Sequence, residues 1–112
     1  MKPEDFDNIV QSELSYCWSL LSTKGEEYNE GKADRLESFK KAAIMQNCTP
    51  LQALAGMMCK HTASIYDMCD AGWTEELSKW QEKITDHINY LLILWALVHE
   101  KFPKRGETDE IQ

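Results

Sequence analysis

The chain of 112 residues has the length of a single domain, and a hydrophobic content of 43% excludes intrinsic disorder for most of it. With 12 Lys and Arg against 19 Asp and Glu, the net charge of -7 repels a phosphate backbone, which makes duplex DNA or RNA an unfavourable partner. A small nucleotide is compatible with this charge, because one basic cluster or a bound divalent cation reverses the potential locally.

Cysteine usage and hydropathy predict a cytoplasmic protein that does not contact a membrane. The four cysteines form no CxxC pair, so a zinc site is not expected and reduced, packed thiols are the simpler prediction. The first residues, Met1 to Asp5, are polar and acidic, unlike a signal peptide. The longest apolar run, Tyr90 to Val98, is too short to span a bilayer.

The first predicted helix runs from about Glu4 to Leu21, because apolar residues recur along it at spacings of three and four. The members of this stripe are Phe6, Ile9, Val10, Leu14, Cys17, Trp18 and Leu21. Residues 22–33 are polar and contain Gly25 and Gly31, so we expect an ordered loop in the middle of this stretch.

A second helix is predicted from Asp34, acting as its N-cap, to about Gln46. A short polar side chain just before an apolar pattern is typical of a helix start, because its oxygen accepts from a backbone N–H of the first turn. The residues expected to face inward are Leu36, Phe39, Ala43 and Ile44.

A stronger start signal precedes the third predicted helix. In Thr49-Pro50-Leu51-Gln52, Thr49 can act as N-cap, Pro50 suits the first helical position and Gln52 can complete a capping box. We expect the helix to continue to about Asp70 and to end at Ala71-Gly72. Its apolar stripe is Leu51, Leu54, Ala55, Met58, Thr62 and Ile65.

The fourth predicted helix begins at a Thr74 cap, continues to about Glu100 and is stopped by Pro103. One face carries Leu77, Trp80, Ile84, Ile88, Leu91, Trp95 and Val98. Residues 104–112 are charged without an apolar pattern, so we expect a disordered tail. The sequence therefore predicts an all-α protein, a compact bundle of four main helices within residues 1–103.

The segment from Leu91 to Val98 is apolar on every side of the helix, so it should be covered on both sides. The second cover comes either from the first helix or from another subunit, and an isologous dimer is the commonest way to provide it. We therefore expect a homo-oligomer, a dimer or higher; a monomer with a central last helix is the alternative.

Acidic residues on the fourth helix suggest a metal site. Glu82, Asp86 and Asn89 lie at i, i+4 and i+7, on the face opposite the Trp80/Ile84 stripe. Two like charges on one face need a compensating cation, and Mg²⁺ is commonly held by one or two carboxylates together with phosphate oxygens and water. The plain alternative is a solvated helix face.

The third helix presents a polar face of its own. Lys60, Ser64 and Asp67 lie on the side away from its apolar stripe, and His61 flanks that stripe. Lys60 and Ser64 could bind a phosphate, and Asp67 could join Glu82 and Asp86 as a metal ligand. The alternative is an ordinary polar surface, with His61 a structural histidine.

Two further segments suit the edge of a ligand site. The loop Lys24-Gly25-Glu26-Glu27-Tyr28 combines charges, an aromatic ring and glycine, and Arg35 can place a guanidinium near a phosphate. No nucleophile with an assignable base is visible, and no Walker loop, GxSxG or HExxH motif is present. Metal-assisted attack by water is therefore the reaction class that the residues permit.

Four blocks in this order resemble a family of small phage and prophage proteins, the nucleotide-modification-associated domain. They are Lys24-Gly25-Glu26-Glu27-Tyr28, Asp34-Arg35-Leu36 with Phe39, Lys60-His61, and the segment from Glu82 to Leu92. The resemblance spans about Lys24 to Leu92. It implies a phage-encoded protein linked to nucleotide metabolism, working in the host cytoplasm.

More distantly, the arrangement looks like the all-helical nucleoside triphosphate pyrophosphohydrolases of the MazG and dimeric dUTPase type. Those enzymes bind Mg²⁺ through helix-borne carboxylates and carry EExxE and ExxD motifs. This chain departs from both: Glu26-Glu27 is not followed by a Glu three residues on, Glu30 stands at that distance only from Glu27, and Glu82 to Asp86 is spaced ExxxD.

Three functions are therefore carried forward. The first is a nucleotide-binding protein, in the form of a Mg²⁺-dependent pyrophosphohydrolase with metal ligands Glu82, Asp86 and Asp67 and with Glu27 orienting the water. The second is a non-catalytic binder that sequesters a nucleotide or signalling nucleotide, and the third is a module that contacts a host protein. The residues expected to contact the nucleotide are Lys60, Arg35, Lys24, Ser64, His61, Asn89 and Tyr28.

Overall fold

The structure, a computed structural model, describes residues 1–28 and 34–102, with side chains for residues 1–23 and 34–102. Four helices form it: α1 is Pro3–Tyr28, α2 is Glu37–Met45, α3 is Pro50–Ala71 and α4 is Leu77–Lys101. No strand occurs in these two ranges, so the predicted all-α class is confirmed. The predicted tail, residues 104–112, lies outside the described residues.

Helix α1 is longer than the sequence predicts, because it continues from Leu21 to Tyr28. The expected loop was therefore wrong for residues 22–28, and its remainder, 29–33, lies outside the described residues. One glycine inside a helix costs only about 1 kcal/mol, which neighbouring helix-forming residues such as Glu26 and Glu27 offset.

Asp34 does not cap α2, contrary to the prediction. Its Oδ1 accepts from the backbone N–H of Leu36 at 2.9 Å, which makes a turn before the helix, and the helix begins at Glu37 with Leu36 as N-cap. The helix ends in a Schellman motif, because Cys48 N donates to Ala43 O at 2.9 Å and Asn47 N to Ile44 O at 3.1 Å. Asn47 supplies the left-handed residue, with φ of 57°.

The predicted start and end of α3 are confirmed. The side chain of Thr49 accepts from Gln52 N at 3.1 Å, and Gln52 Oε1 accepts from Thr49 N at 2.9 Å, with Pro50 in the first turn. Gly72 follows Ala71 with φ of 81°, a conformation in which a Cβ atom would be strained. The Thr74 cap was wrong: residues 72–76 make the reversal, and α4 starts at Leu77 after Glu76.

The helices pack in a simple order, with α2 on α3, α3 on α4 and α1 on α4. Helices α3 and α4 are antiparallel, since Thr62 contacts His87 while the Trp73 ring, beyond the end of α3, lies 6.0 Å from that of Trp80. Helices α1 and α4 run in the same direction, because Glu13 contacts Gln81 and Leu21 lies near Asn89 farther along both helices.

Few apolar side chains are buried in the described chain. They are Cys17, Leu36, Ala43, Ala53, Leu54 and Met68. Ile44, expected inside, is 78% exposed, because α2 packs on α3 through Ala43 and turns Ile44 away. Leu51 and Ala55 of the predicted α3 stripe are also exposed, while Met58, Thr62 and Ile65 are half-buried.

The apolar stripes predicted for α1 and α4 are exposed at many positions. On α1 these are Phe6, Ile9, Val10, Leu14 and Trp18, and on α4 they are Leu77, Ile84, Leu91 and Trp95. The predicted double cover of the last half of α4 is therefore absent from the described chain. None of the helices described is both long enough and apolar enough to cross a bilayer.

Candidate functional site

Two hollows with mixed polar and apolar linings lie against α4, and Tyr90 lines both of them. The first, the Asn89 hollow, has a volume of about 180 Å³. It is lined by Leu20, Leu21, Arg35, Ser38, Phe39, Asp86, Asn89, Tyr90 and Ile93. The second, the Lys60 hollow, has a volume of about 350 Å³ and is lined by Gln46, Ala53, Gly56, Met57, Lys60, His61 and Tyr90.

Asn89 provides the clearest sign of a missing partner. Its Oδ1 is buried and has no hydrogen-bond partner in the described part of the chain. A buried acceptor without a donor costs roughly 1–3 kcal/mol, so such atoms are usually paired with protein, water or a ligand. Asn89 is also one of the residues that line the first hollow.

Arg35 lies at the edge of this hollow, in the turn that precedes α2. Its Nη2 donates to the carbonyl oxygen of Leu21 in α1 at 3.2 Å. A guanidinium carries several N–H donors, so this bond does not exhaust its capacity to bind an anion. The sequence placed Arg35 near a ligand, and the structure brings it into the same hollow as Asp86 and Asn89.

Lys40 of α2 anchors the turn that carries Arg35 and links it to α4. Lys40 Nζ lies 2.6 Å from Asp34 Oδ2 and 3.0 Å from Glu100 Oε1, which ties the start of α2 to the end of α4. The hydrogen bond from Lys40 lowers the pKa of Asp34, and the same bond raises the pKa of Lys40. Both groups therefore stay charged at neutral pH, which keeps the turn in place.

The Lys60 hollow combines a cation with an aromatic wall. The rings of His61 and Tyr90 lie 4.8 Å apart with an interplanar angle of 33°, and Lys60 is exposed at the same hollow. Gly56 lines it as well, and a Cβ atom there would meet nothing within 4 Å. The hollow is therefore wide at Gly56 and has a flat, partly apolar wall.

The three predicted metal ligands are not gathered in one place. Asp86 lines the Asn89 hollow, whereas Glu82 is exposed and does not line it, and Asp67 lies at a separate hollow with Asp70. Within residues 1–23 and 34–102, no group of three or more His, Cys, Asp or Glu side chains is arranged to hold a metal ion. The single carboxylate of the Asn89 hollow, that of Asp86, fits Mg²⁺ only where phosphate oxygens and water complete the coordination of the ion.

The other predicted site residues divide into two groups. Ser64 is half-buried and lines neither the Asn89 hollow nor the Lys60 hollow. The side chains of Lys24, Glu27 and Tyr28 lie outside the described residues, so their predicted roles stay predictions. The sequence thus located five residues of the two hollows: Arg35, Lys60, His61, Asp86 and Asn89.

His87, beside the site, was not singled out in the sequence. Its Nε2 lies 3.1 Å from Thr62 Oγ1, whose hydroxyl donates to Met58 O at 3.2 Å. The tautomer of the ring decides which of the two atoms donates to the other. His87 joins α3 to α4 through this contact and lines neither of the two hollows.

A partly buried polar cluster between α1 and α4 also escaped the sequence analysis. Glu13 accepts hydrogen bonds from Thr85, from Gln81 Nε2 at 3.3 Å and from Cys17 Sγ at 3.5 Å. Burial raises the pKa of Cys17 to about 11, and the bond to Glu13 acts in the same direction. The sequence signal for this cluster was Glu13 itself, a charged residue four positions before Cys17, which belongs to the apolar stripe of α1.

The fold and hollows together define an all-α protein with a polar site on the face of α4 opposite its exposed apolar stripe. Comparison with known proteins finds no matching family, no matching curated protein and no matching solved structure. The resemblance to the nucleotide-modification-associated domain therefore stays a prediction from the residues.

Proposed function

We propose that this protein binds a nucleotide at the Asn89 hollow. The observation that carries the proposal is a hollow lined by Asn89, the Arg35 guanidinium and the Asp86 carboxylate, together with the buried Asn89 Oδ1, which has no partner among the described residues. Asn89 and Asp86 accept hydrogen bonds, and Arg35 donates them. A complementary ligand needs donor groups, an anionic group and an apolar body, which are the base, sugar and phosphate of a nucleotide.

Size limits how much of the nucleotide enters. Ligand pockets usually measure about 300–1,000 Å³, and the Asn89 hollow has about 180 Å³. We therefore assign the base or the sugar to this hollow, against Phe39 and Tyr90. The rest of the ligand passes Tyr90 toward the Lys60 hollow, where Lys60 offsets phosphate charge in an otherwise acidic protein.

The resemblance described above supports the same ligand class. Three of its four blocks supply residues of the hollows, namely Arg35 with Phe39, Lys60 with His61, and Asp86 with Asn89 and Tyr90. Their convergence from α2, α3 and α4 is what a shared ligand requires. The fourth block, at Lys24, lies outside the described side chains.

Mg²⁺-dependent hydrolysis is the activity that we propose for this site. Asp86, with Glu82 one helical turn before it, would hold the ion together with phosphate oxygens, and a bound ion would supply the activation of water. The water oxygen would bond to the α-phosphorus of a nucleoside triphosphate while the bond to the β-phosphate oxygen breaks, with pyrophosphate as the leaving group. Asp67 is too separate in the described chain to be included without rearrangement. Glu27 keeps its proposed role of orienting the water.

Sequestration without turnover is the second candidate. The observation that favours it is that Asp67 lies at a separate hollow from Asp86, so the described chain has no preformed three-carboxylate centre. The same hollow would then hold a nucleotide through Asn89 and Arg35 without needing Mg²⁺.

The two candidates are separated by binding and turnover measured on the same samples. Calorimetric titration with a panel of ribo- and deoxynucleoside mono- and triphosphates, with Mg²⁺ or with EDTA, should give saturable binding to at least one nucleotide. Pyrophosphate release only with Mg²⁺ supports hydrolysis, and tight binding in EDTA without product supports sequestration. Saturable binding to none of the panel would contradict both.

A matched pair of variants locates the site. Arg35→Ala removes the guanidinium from the Asn89 hollow and should weaken binding about tenfold or more, whereas Lys41→Ala removes an exposed cation paired with Glu37 on the same helix. Equal binding by both variants would place the nucleotide elsewhere.

A further inference from the structure

A long apolar surface on α1 and α4 has no cover in the described chain. Phe6, Ile9, Val10, Leu14 and Trp18 of α1 are 38% to 68% exposed. Between the two helices lies a groove of about 670 Å³, the α1/α4 groove. Its apolar lining residues are Ile9, Val10, Leu14, Leu77, Trp80, Ile84 and Ile88.

We infer that a second copy of this chain covers the α1/α4 groove, so that α1 and α4 of two copies form a four-helix interface. This interface is independent of the nucleotide proposal, because Asp86 and Asn89 lie on the opposite face of α4.

The area of the exposed surface matches what a stable dimer buries. A fully buried aromatic residue contributes roughly 150–250 Å². Phe6 is 57% exposed and Trp18 68%, so that together with the exposed aliphatic residues they present several hundred Å². That is at or above the roughly 300–600 Å² of the largest patch on a typical monomer and near the roughly 800 Å² per partner of a stable interface.

The size of the core favours a second copy over a facultative partner. Six apolar side chains are buried in the described chain, and α1 packs mainly on α4. A chain with so little internal burial needs its cover whenever it folds, because burial of apolar surface must offset the conformational entropy lost. A second copy meets this need, because it is present wherever the chain itself is present and at the same concentration.

The surface is also self-complementary, as a two-fold interface requires. It presents a groove with apolar walls and, on the same helix, the projecting side chains of Phe6 and Trp18 that can enter such a groove. Trp80 Nε1 is buried in the groove lining without an acceptor among the described residues.

The stripe on α4 continues the surface beyond the groove. Leu91 and Trp95 follow Ile84 at i+7 and i+11, and both are exposed. The sequence predicted subunit contact at this end of α4, and the structure extends the exposed surface along both helices to Phe6 and Leu77.

The test is the mass of the protein in solution, measured by sedimentation equilibrium and light scattering. We expect about twice the chain mass at micromolar concentration and a Tm that rises with protein concentration, because dissociation and unfolding are then linked. Leu14→Glu should lower the Tm and shift the mass toward the monomer. Ile44→Glu, at an exposed position on α2, should change neither.

The wild-type protein alone can overturn the inference, so the test does not depend on the folding of a variant. A monomeric mass with a concentration-independent Tm would do so. A monomer that native mass spectrometry finds with a bound small molecule or lipid would do so as well, since the groove would then have another occupant. A dimer that Leu14→Glu and Ile44→Glu leave equally intact would place the contact on another surface.

Discussion

The carboxylate of Glu13 in α1 accepts a hydrogen bond from the hydroxyl of Thr85 in α4. Thr85 is the only buried polar residue among those whose side chains are described. Gln81 and Cys17 donate to the same carboxylate. A carboxylate in an apolar contact must be hydrogen-bonded to be tolerated, so this cluster fixes the position of α1 along α4.

Thr85→Val should destabilise the protein by about 1.5–3 kcal/mol, because it keeps the shape of the side chain and removes a hydrogen bond to a charged group. The measurement is urea unfolding followed by circular dichroism at one protein concentration. Thr74→Val is the control: Thr74 is exposed and does not cap α4, so its substitution should stay within about 0.5 kcal/mol. Similar losses for both variants would remove the role given to the Glu13 cluster.

Asn89→Leu should separate function from stability. The substitution removes a buried acceptor without a partner and keeps the side-chain volume, so stability should stay the same or rise. Nucleotide binding should fall at least tenfold, because the acceptor for the ligand is lost. Unfolding and calorimetric titration of the same preparation measure both, with Gln11→Ala, an exposed amide on α1, as control. A clear loss of stability would mean that Asn89 is paired within the protein.

Gly56→Ala and Gly72→Ala should change stability in opposite directions. Alanine stabilises a helix interior by about 0.5–1 kcal/mol over glycine, and a Cβ atom at Gly56 meets nothing within 4 Å. At Gly72 the φ of 81° makes the same change unfavourable. Thermal unfolding measures both stabilities.

Gly56→Ala should also weaken nucleotide binding, because the added methyl group narrows the Lys60 hollow. An unchanged affinity for the nucleotide would exclude that hollow from the binding site.

Cys17 should be the least reactive of the described cysteines. With its pKa raised to about 11, about one thousandth of Cys17 is thiolate at pH 8, and the side chain is buried, whereas Cys59 and Cys69 are exposed. Alkylation at pH 8, mapped by mass spectrometry, should label Cys59 and Cys69 first and Cys17 only after unfolding. Labelling of Cys17 at the rate of Cys59 would contradict this burial.

The same shift sets a pH dependence. Because the folded pKa of Cys17 lies above the ordinary value of 9.0, the neutral thiol contributes to stability fully below pH 9, and this contribution is lost between about pH 9 and pH 11. Cys17→Ser should lower stability at pH 7 and remove this part of the alkaline decline. An unchanged decline in the variant would assign it to other groups.

Local signals were predicted well where the residues that make them are neighbours in sequence. The reciprocal bonds of Thr49 and Gln52 depend on four consecutive residues, so the start of α3 was readable. Asp34 and Thr74 carry the same residue chemistry but do not cap helices. The Asp34 side chain instead accepts from Leu36 N and pairs with Lys40. Lys40 also pairs with Glu100 at the end of α4, and only the fold brings these two residues together.

The residues of the site also divide into those that spacing along one helix predicts and those that only the fold brings together. Asp86 and Asn89 share a face of one helix, which spacing alone predicts, and the structure has them in one hollow. Asp67 lies on α3, and its distance from Asp86 depends on how α3 passes α4, which no spacing within α3 contains. Glu13 and Thr85 are 72 positions apart in the sequence, so their contact could not be predicted without the fold.

The most direct measurement is the map of backbone amide chemical-shift changes when a nucleotide is added to isotope-labelled protein. Binding at the proposed site predicts changes that saturate and are largest at Arg35, Asp86, Asn89 and Tyr90, with small changes at Leu14 and Leu77. No change with any nucleotide at millimolar concentration, or changes confined to the α1/α4 groove, would contradict a nucleotide site at the Asn89 hollow.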